Sequence, residues 1–172
     1  MAPHQAVDPP VFFRAYIGLG SNLDDPRAHV QRAFEELARL PLSRLLARSS
    51  LYRSAPLGWL DQPDFINGAA LIETTLSPRS LLKALLEIEY NHGRLREYAN
   101  APRTLDLDIL MFDNLQYVGD GLILPHPRMH QRAFVLQPLL EIAPEGRVPG
   151  RGTVAELLAA CTGQRLEREQ AK

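Results

Sequence analysis

In the stretch Pro102-Arg103-Thr104-Leu105-Asp106-Leu107-Asp108-Ile109-Leu110, two carboxylates and a guanidinium interrupt an otherwise apolar run. As an extended strand it puts Leu105, Leu107, Ile109 and Met111 on one side and Asp106 and Asp108 on the other, because successive side chains alternate faces. The apolar side predicts core. Two aspartates on one face repel each other unless a cation lies between them, and their hard oxygens suit Mg²⁺. The competing reading is a half-exposed strand whose outer face is acidic. Arg94 and Arg96 come just before, in a polar loop from Arg94 to Pro102. Their planar forks match phosphate oxygens. The competing reading there is a pair of solvated or salt-bridged surface arginines.

Other chemistries find little support. The chain has 172 residues, 45% hydrophobic and 23% charged, with a net charge of −1, which suits an ordinary globular protein and gives no electrostatic bias towards nucleic acid. Cys161 is the single cysteine, so an internal disulfide and a cysteine-based zinc cage are excluded and a reducing compartment is expected. His126 and His130 lack the further ligands of a zinc site, and no serine sits in a Gly-x-Ser-x-Gly elbow. No Gly-x-x-x-x-Gly-Lys-Ser/Thr phosphate loop is present, and of the 19 basic residues only Lys83 and Lys172 are lysines, which leaves arginine for any anion binding. No apolar run approaches membrane-spanning length, and Met1 to Pro10 does not resemble a signal peptide, so a cytoplasmic protein with no membrane partner is expected.

Residues 1–13 carry three prolines and predict a mostly disordered extension, with a single domain over 14–172. Arg14 to Gly20 predicts a buried strand, whose glycines suggest close backbone packing rather than a dinucleotide fingerprint. Asp25 and Pro26 open a helix with Val30, Ala33, Phe34, Leu37 and Leu40 on one face, stopped at Pro41. Leu45 to Ser54 predicts a second strand and Asn67 to Thr75 a third. The loop from Ala55 to Phe65 between them is long enough to be a lid or binding loop. Ser77 and Pro78 open a second helix striped with Leu81, Leu85 and Ile88 and closed by Gly93. After Leu122 to Leu124, two prolines hold His126 extended. A helical stretch from Met129 to Leu140 is expected to break near Pro138, and Thr153 to Glu156 forms a capping box for a last short helix.

Taken together, Gly20-Ser21-Asn22, Ser49-Ser50-Leu51-Tyr52, Gln62-Pro63-Asp64-Phe65-Ile66-Asn67, Gly93-Arg94, Pro102 to Asp108, Leu124-Pro125-His126 and Arg132-Ala133-Phe134 resemble the hydroxymethyl-dihydropterin pyrophosphokinases of folate biosynthesis. The resemblance runs from about Tyr16 to Pro144. It implies an α+β fold of ferredoxin-like type, an antiparallel sheet flanked by helices in a single domain. It also implies transfer of pyrophosphate from ATP to the hydroxymethyl group of the dihydropterin, releasing AMP. Such a transfer depends on positioning and on compensation of developing charge.

Residue by residue, the resemblance gives two Mg²⁺ ions to Asp106 and Asp108 and the triphosphate to Arg94 and Arg103, which carry the catalysis. It sets the pterin between Phe65 and Phe134, with Asn67 and the backbone of Ser54, Pro56 and Leu57 along its heteroatom edge. His126 and Arg132 match nucleotide contacts, Ile109 lies beside the adenine, and Glu89 and Arg96 border the same cleft. Where members of the family often carry Trp-Gly, this chain has Asn100-Ala101, and its loop is one residue shorter. The implied partners are small molecules, with a monomer expected. The alternatives are another Mg²⁺-dependent nucleotidyl or phosphoryl transferase on a ferredoxin-like sheet, or an RNA-binding module of the same fold. The second would require exposed strand aromatics in a basic field.

Overall fold

The computed structural model describes residues 7–58, 60–94 and 97–171. Residues 7–12 form neither helix nor strand, and β1 (Phe13–Ser21) begins one residue before the sequence pattern predicts. The chain then runs through α1 (Pro26–Ala38), β2 (Ser43–Arg48), β3 (Tyr52–Ser54), β4 (Phe65–Thr74), α2 (Pro78–Asn91) and β5 (Asp106–Phe112). After β5 come a hairpin of β6 (Tyr117–Gly119) and β7 (Leu122–Leu124), α3 (Ala133–Ile142), a small ribbon of β8 (Arg147–Val148) and β9 (Gly152–Thr153), α4 (Val154–Ala160) and β10 (Leu166–Arg168).

The main sheet is antiparallel in the order β10-β3-β4-β1-β5, with β2 also pairing with β4. This is the ferredoxin-like β-α-β-β-α-β arrangement with additions at one edge and one face. α1 and α2 cover one face with a core that includes Ile17, Leu19, Phe34, Leu37, Leu85 and Leu107. α3 and α4 cover part of the other with Leu110, Met111, Leu136, Leu139 and Val154. β4, covered on both faces, is accordingly buried along nearly its whole length.

Local chemistry explains the helix ends. Asp25, in the left-handed region, accepts from Ala28 N at 3.3 Å ahead of Pro26, and Ser77 accepts from Ser80 N at 3.1 Å ahead of Pro78. Thr153 and Glu156 complete the expected capping box of α4.

Three expectations need correcting. The strand predicted over Leu45 to Ser54 is two strands, because Ser49 takes over the pairing between them: its N donates to Ala69 O at 2.9 Å and its Oγ accepts from Ala69 N at 2.8 Å. β2 and β3 therefore pair with opposite ends of β4. The helical stretch after Met129 breaks at Arg132, which is extended at φ −121°, and α3 passes through Pro138. Proline deletes one helical bond, but its fixed φ is helical. In β5 an irregularity opposite Tyr16 and Ile17 interrupts the alternation, so Met111 joins Leu110 in the second core and Phe112 takes its place in the first.

Candidate active site

Where α3 leaves the second face of the sheet uncovered, a cavity of about 260 Å³ opens over β1, β4 and β5. β1 can floor it because Gly18 and Gly20 contribute no side chain on that face. A Cβ at Gly18 would meet Leu110 Cδ2 at 3.2 Å, and one at Gly20 would stand 3.6 Å from Asn67 Oδ1. The glycines make room for a ligand as much as for backbone packing.

One part of the cavity is aromatic and polar. Phe65 and Asn67 come from the start of β4, Ser54 from the end of β3, Leu57 from the loop that follows it, and Phe134 from the first turn of α3. Asn67, only 3% exposed, uses its Nδ2 on Tyr52 O at 3.1 Å and on Ser54 Oγ at 2.8 Å, which leaves its Oδ1 as an acceptor. Each aromatic wall carries a cation: the Arg103 guanidinium lies 5.2 Å from the centre of Phe65, and that of Arg132 lies 5.6 Å from Phe134.

The other part is ionic. Asp106 and Asp108 share the cavity face of β5. Asp106 binds Arg94 through Oδ1, and its Oδ2 accepts from Arg103 Nη1 at 3.1 Å. Beneath them Glu89, 3% exposed, accepts from Arg94 Nη1 at 2.7 Å and from Leu107 N at 2.8 Å. Burial would lower the Arg94 pKa, but Asp106 and Glu89 outweigh it and raise it above the usual value. The Asp108 carboxylate has no hydrogen-bond or ion-pair partner among the described residues, and burial together with Asp106 and Glu89 pushes it up to about 7. His126, held down to about 4 by burial and by Arg132, is neutral at physiological pH. Its Nδ1 accepts from Arg128 N at 3.1 Å, so the ring proton sits on Nε2.

These donors fit a hard cation. An under-compensated, partly buried carboxylate beside a second one is the donor set Mg²⁺ prefers. Among the described residues no three His, Cys, Asp or Glu side chains converge on a point. An ion here would take one or two carboxylates and complete its shell from phosphate and water, as Mg²⁺ does at nucleotide sites.

A model of the 7,8-dihydro-6-hydroxymethylpterin-pyrophosphokinase family matches residues 16–144. The chain belongs to that family. The 2-amino-4-hydroxy-6-hydroxymethyldihydropteridine pyrophosphokinase of Pseudomonas aeruginosa is 49% identical over 155 residues, which cover 90% of this chain and 96% of that one. The enzyme of the same name from Methylorubrum extorquens is 46% identical over 155 residues, 90% of this chain and 98% of that one. Among solved structures, a crystal structure of an HPPK-DHPS in complex with substrates superposes with a TM-score of 0.66 at 14% identity, over 86% of this chain and 43% of that one. Plasmodium falciparum HPPK-DHPS with pteroate gives 0.68 at 13% identity, over 90% and 44%. The chain thus spans under half the length of these structures, and at such identities they show the fold alone.

Of the residues that the pyrophosphokinase resemblance selects, Arg94, Arg103, Asp106, Asp108, Ser54, Leu57, Phe65, Asn67, Phe134, His126 and Arg132 line the one cavity. Four others do not. Glu89 lies beneath it as the acceptor that fixes Arg94. Pro56 is buried beside it, its neighbours Ala55 and Leu57 doing the lining. Ile109 turns its side chain into the helix-side core, since it alternates with Asp108, and offers a ligand only its main chain. Arg96 is outside the described residues.

Sequence reasoning missed Asn22, 2% exposed at the end of β1. Its N donates to Arg103 O at 3.0 Å, its Oδ1 accepts from Arg103 N at 2.9 Å, and its Nδ2 donates to Gln62 Oε1 at 2.9 Å and Pro63 O at 3.0 Å. It ties the loop before β4 to the loop before β5. The available signal was an asparagine directly after a glycine-bearing strand, where a turn was the obvious use.

Proposed function

We propose that this cavity is where the chain carries out the reaction of its family, transfer of pyrophosphate from ATP to the hydroxymethyl group of hydroxymethyl-dihydropterin, giving the pterin diphosphate and AMP. The observation that carries the reading is Arg103, whose one guanidinium lies over Phe65 and binds Asp106. One residue thus joins a slot for a flat heterocycle to a site for phosphate and metal.

The flat pterin lies against Phe65 and Phe134, which supply contact area. Asn67 Oδ1, the main chain from Ser54 to Leu57 and the Ser54 hydroxyl read its edge, because groups that form directed hydrogen bonds discriminate far better than apolar walls. The Arg103 guanidinium leaves the face of Phe65 as the ring arrives and turns to the triphosphate. Arg94 and Arg103, each bonded to Asp106, compensate charge on the transferred group, where a fixed cation needs no reorganisation. His126, neutral and protonated on Nε2, and Arg132 face the nucleotide, with the main chain of Ile109 beside the adenine.

Asp106 and Asp108 would hold Mg²⁺, two ions fitting the reaction's charge, and the bound metal would supply neutralisation of the phosphates. The hydroxymethyl oxygen attacks that phosphorus, the bond to the α-phosphate oxygen breaks, and AMP leaves. ATP and the dihydropterin are the partners. Among the described residues no helix is long and apolar enough to cross a membrane, and we place the chain, as a monomer, in the cytoplasm.

The test is product analysis. With Mg²⁺ and ATP, AMP should form in equal amount with the pterin diphosphate, and scarcely without pterin, since the loops exclude water only around both substrates. ADP released without pterin would sink the assignment.

A further inference from the structure

His29 of α1 and His92, the residue that ends α2, do not line the cavity and have no part in the reaction above. Each is only 7% exposed, and their Nδ1 atoms stand 2.7 Å apart. Two ring nitrogens approach that closely only when one carries a proton and the other a lone pair. The neighbours decide which. Arg32 Nη2 lies 3.0 Å from His29 Nδ1, and a guanidinium only donates, so that nitrogen is bare. The proton between the rings therefore belongs to His92. On its other side His92 Nε2 meets Glu36 Oε2 at 2.6 Å, and a carboxylate oxygen accepts, so that nitrogen is protonated too. His92 is then an imidazolium set between a neutral imidazole and a carboxylate.

The arrangement accepts one proton and resists a second. Protonated on Nδ1, His29 would point two N–H groups at each other across 2.7 Å and face Arg32 as well. Among the described residues, the charged groups that bear on the pair are Arg32 and Glu36 of α1 and Asp24 and Asp25 of the turn before it. Burial first, then His92 and Arg32, hold the His29 pKa below its usual value against Asp24 and Asp25.

What the pair fastens is the root of Arg94. The main chain of His92 closes α2 by donating to Ile88 O and Glu89 O, both at 3.1 Å, while its ring is bonded to α1. From this anchored residue the chain turns through Gly93, at φ 75°, and delivers Arg94, whose N bonds Glu89 O at 3.2 Å. We infer that His29 and His92 hold one proton between them and act as positioning residues for Arg94, fastening the end of α2 to α1 until a second proton releases it. The inference rests on the role given to Arg94 above, and its proton count stands independently of that role.

Two measurements test it. Nitrogen-15 spectra of the histidines in the intact chain, near neutral pH, should show both nitrogens of His92 protonated and Nδ1 of His29 bare, with H29N identifying the signals. Two neutral rings would overturn the proton count. Asparagine at position 29 sets its Oδ1 where Nδ1 stands, so it keeps an oxygen to accept from His92 and cannot take a proton. H29N should therefore match the wild-type kcat near neutral pH, leave KM for the pterin unchanged, and carry the acid limb of kcat about one pH unit lower. Superimposable acid limbs in an enzyme that releases AMP normally would overturn the positioning role and leave the assigned reaction standing. A wild type that releases no AMP would overturn both the reaction and the positioning role, and the spectra alone would then decide the proton count.

Discussion

Asp108 sits two residues along the same strand face from Asp106 with Glu89 close by, and its carboxyl is pushed up to about 7 from 3.8. A carboxyl whose folded value exceeds its unfolded one binds protons more tightly in the native state. It therefore costs stability as pH rises from about 4 to about 7, and the full cost remains above that window. Asp108→Asn removes the repulsion. The variant should unfold at a higher temperature than wild type near pH 8 in the presence of a chelator, show no such gain near pH 4, and form no AMP. Thermal unfolding at the two pH values checks this, and an equal Tm near pH 8 would contradict the like-charge account. The two arginines should separate in the same assays. Arg94→Ala takes a charged partner from Glu89, 3% exposed, and from Asp106, so it should cost about 1–3 kcal/mol of stability as well as rate. Arg103→Ala leaves Arg94 on Asp106, and should lower kcat while denaturant unfolding stays near wild type. Near-normal turnover in Arg103→Ala would remove it from the chemistry.

The elements that carry these residues were largely readable in advance. Alternation in β1 and β5, the Asp25-Pro26 and Ser77-Pro78 helix starts and the capping box at Thr153 are local signals, and locally encoded structure is what a sequence states most directly. What could not be read depends on partners distant in the chain. The split between β2 and β3 follows from Ser49 bonding Ala69, and β10 exists as a strand only because β3 lies beside it. In the site, the charged and aromatic residues announced themselves through their motifs, while Ile109, Glu89 and Asn22 could be placed only once strand faces and loop contacts were known. Gly20 offers a test at this scale. A β-branched residue suits a strand, so Gly20→Val should leave unfolding nearly unchanged, yet its side chain would stand beside Asn67 and Phe65 and raise KM for the pterin. Unchanged KM with normal folding would show that this floor is not the pterin slot. Asn22→Ala should instead weaken both substrates together, because it frees the loops that bear Gln62 and Arg103 at once.

Across the whole molecule, the two walls of the aromatic slot depend on the last stretch of the chain. β10 adds a strand to β3, with Leu166 paired to Ser54 at the edge of the cavity and Arg168 paired to Tyr52, whose carbonyl orients Asn67. Beyond it, Glu169 N donates to Leu51 O at 2.8 Å, and its carboxylate binds Arg53 at 2.8 Å and Arg27 at 3.3 Å. The opposite wall leans on the same segment. Gln164 Oε1 accepts from Ala133 N at 2.9 Å, and its Nε2 donates to Gln131 O at 2.8 Å. It thereby caps α3, where Arg132 makes no side-chain cap, one residue before Phe134. The ionic part of the cavity, built on β5 and the end of α2, has no such dependence. Removing residues 164–172 should therefore raise KM for the pterin several-fold and KM for ATP by less, the latter only through Arg132, which lies between the two residues that Gln164 bonds. Gln164→Ala, which loosens the start of α3 and leaves β10 in place, should cost about 1 kcal/mol of stability and give a smaller rise in the pterin constant. Steady-state kinetics with each substrate varied in turn makes the comparison. Equal losses for both substrates in the shortened chain would mean that the tail supports the sheet as a whole and not the slot.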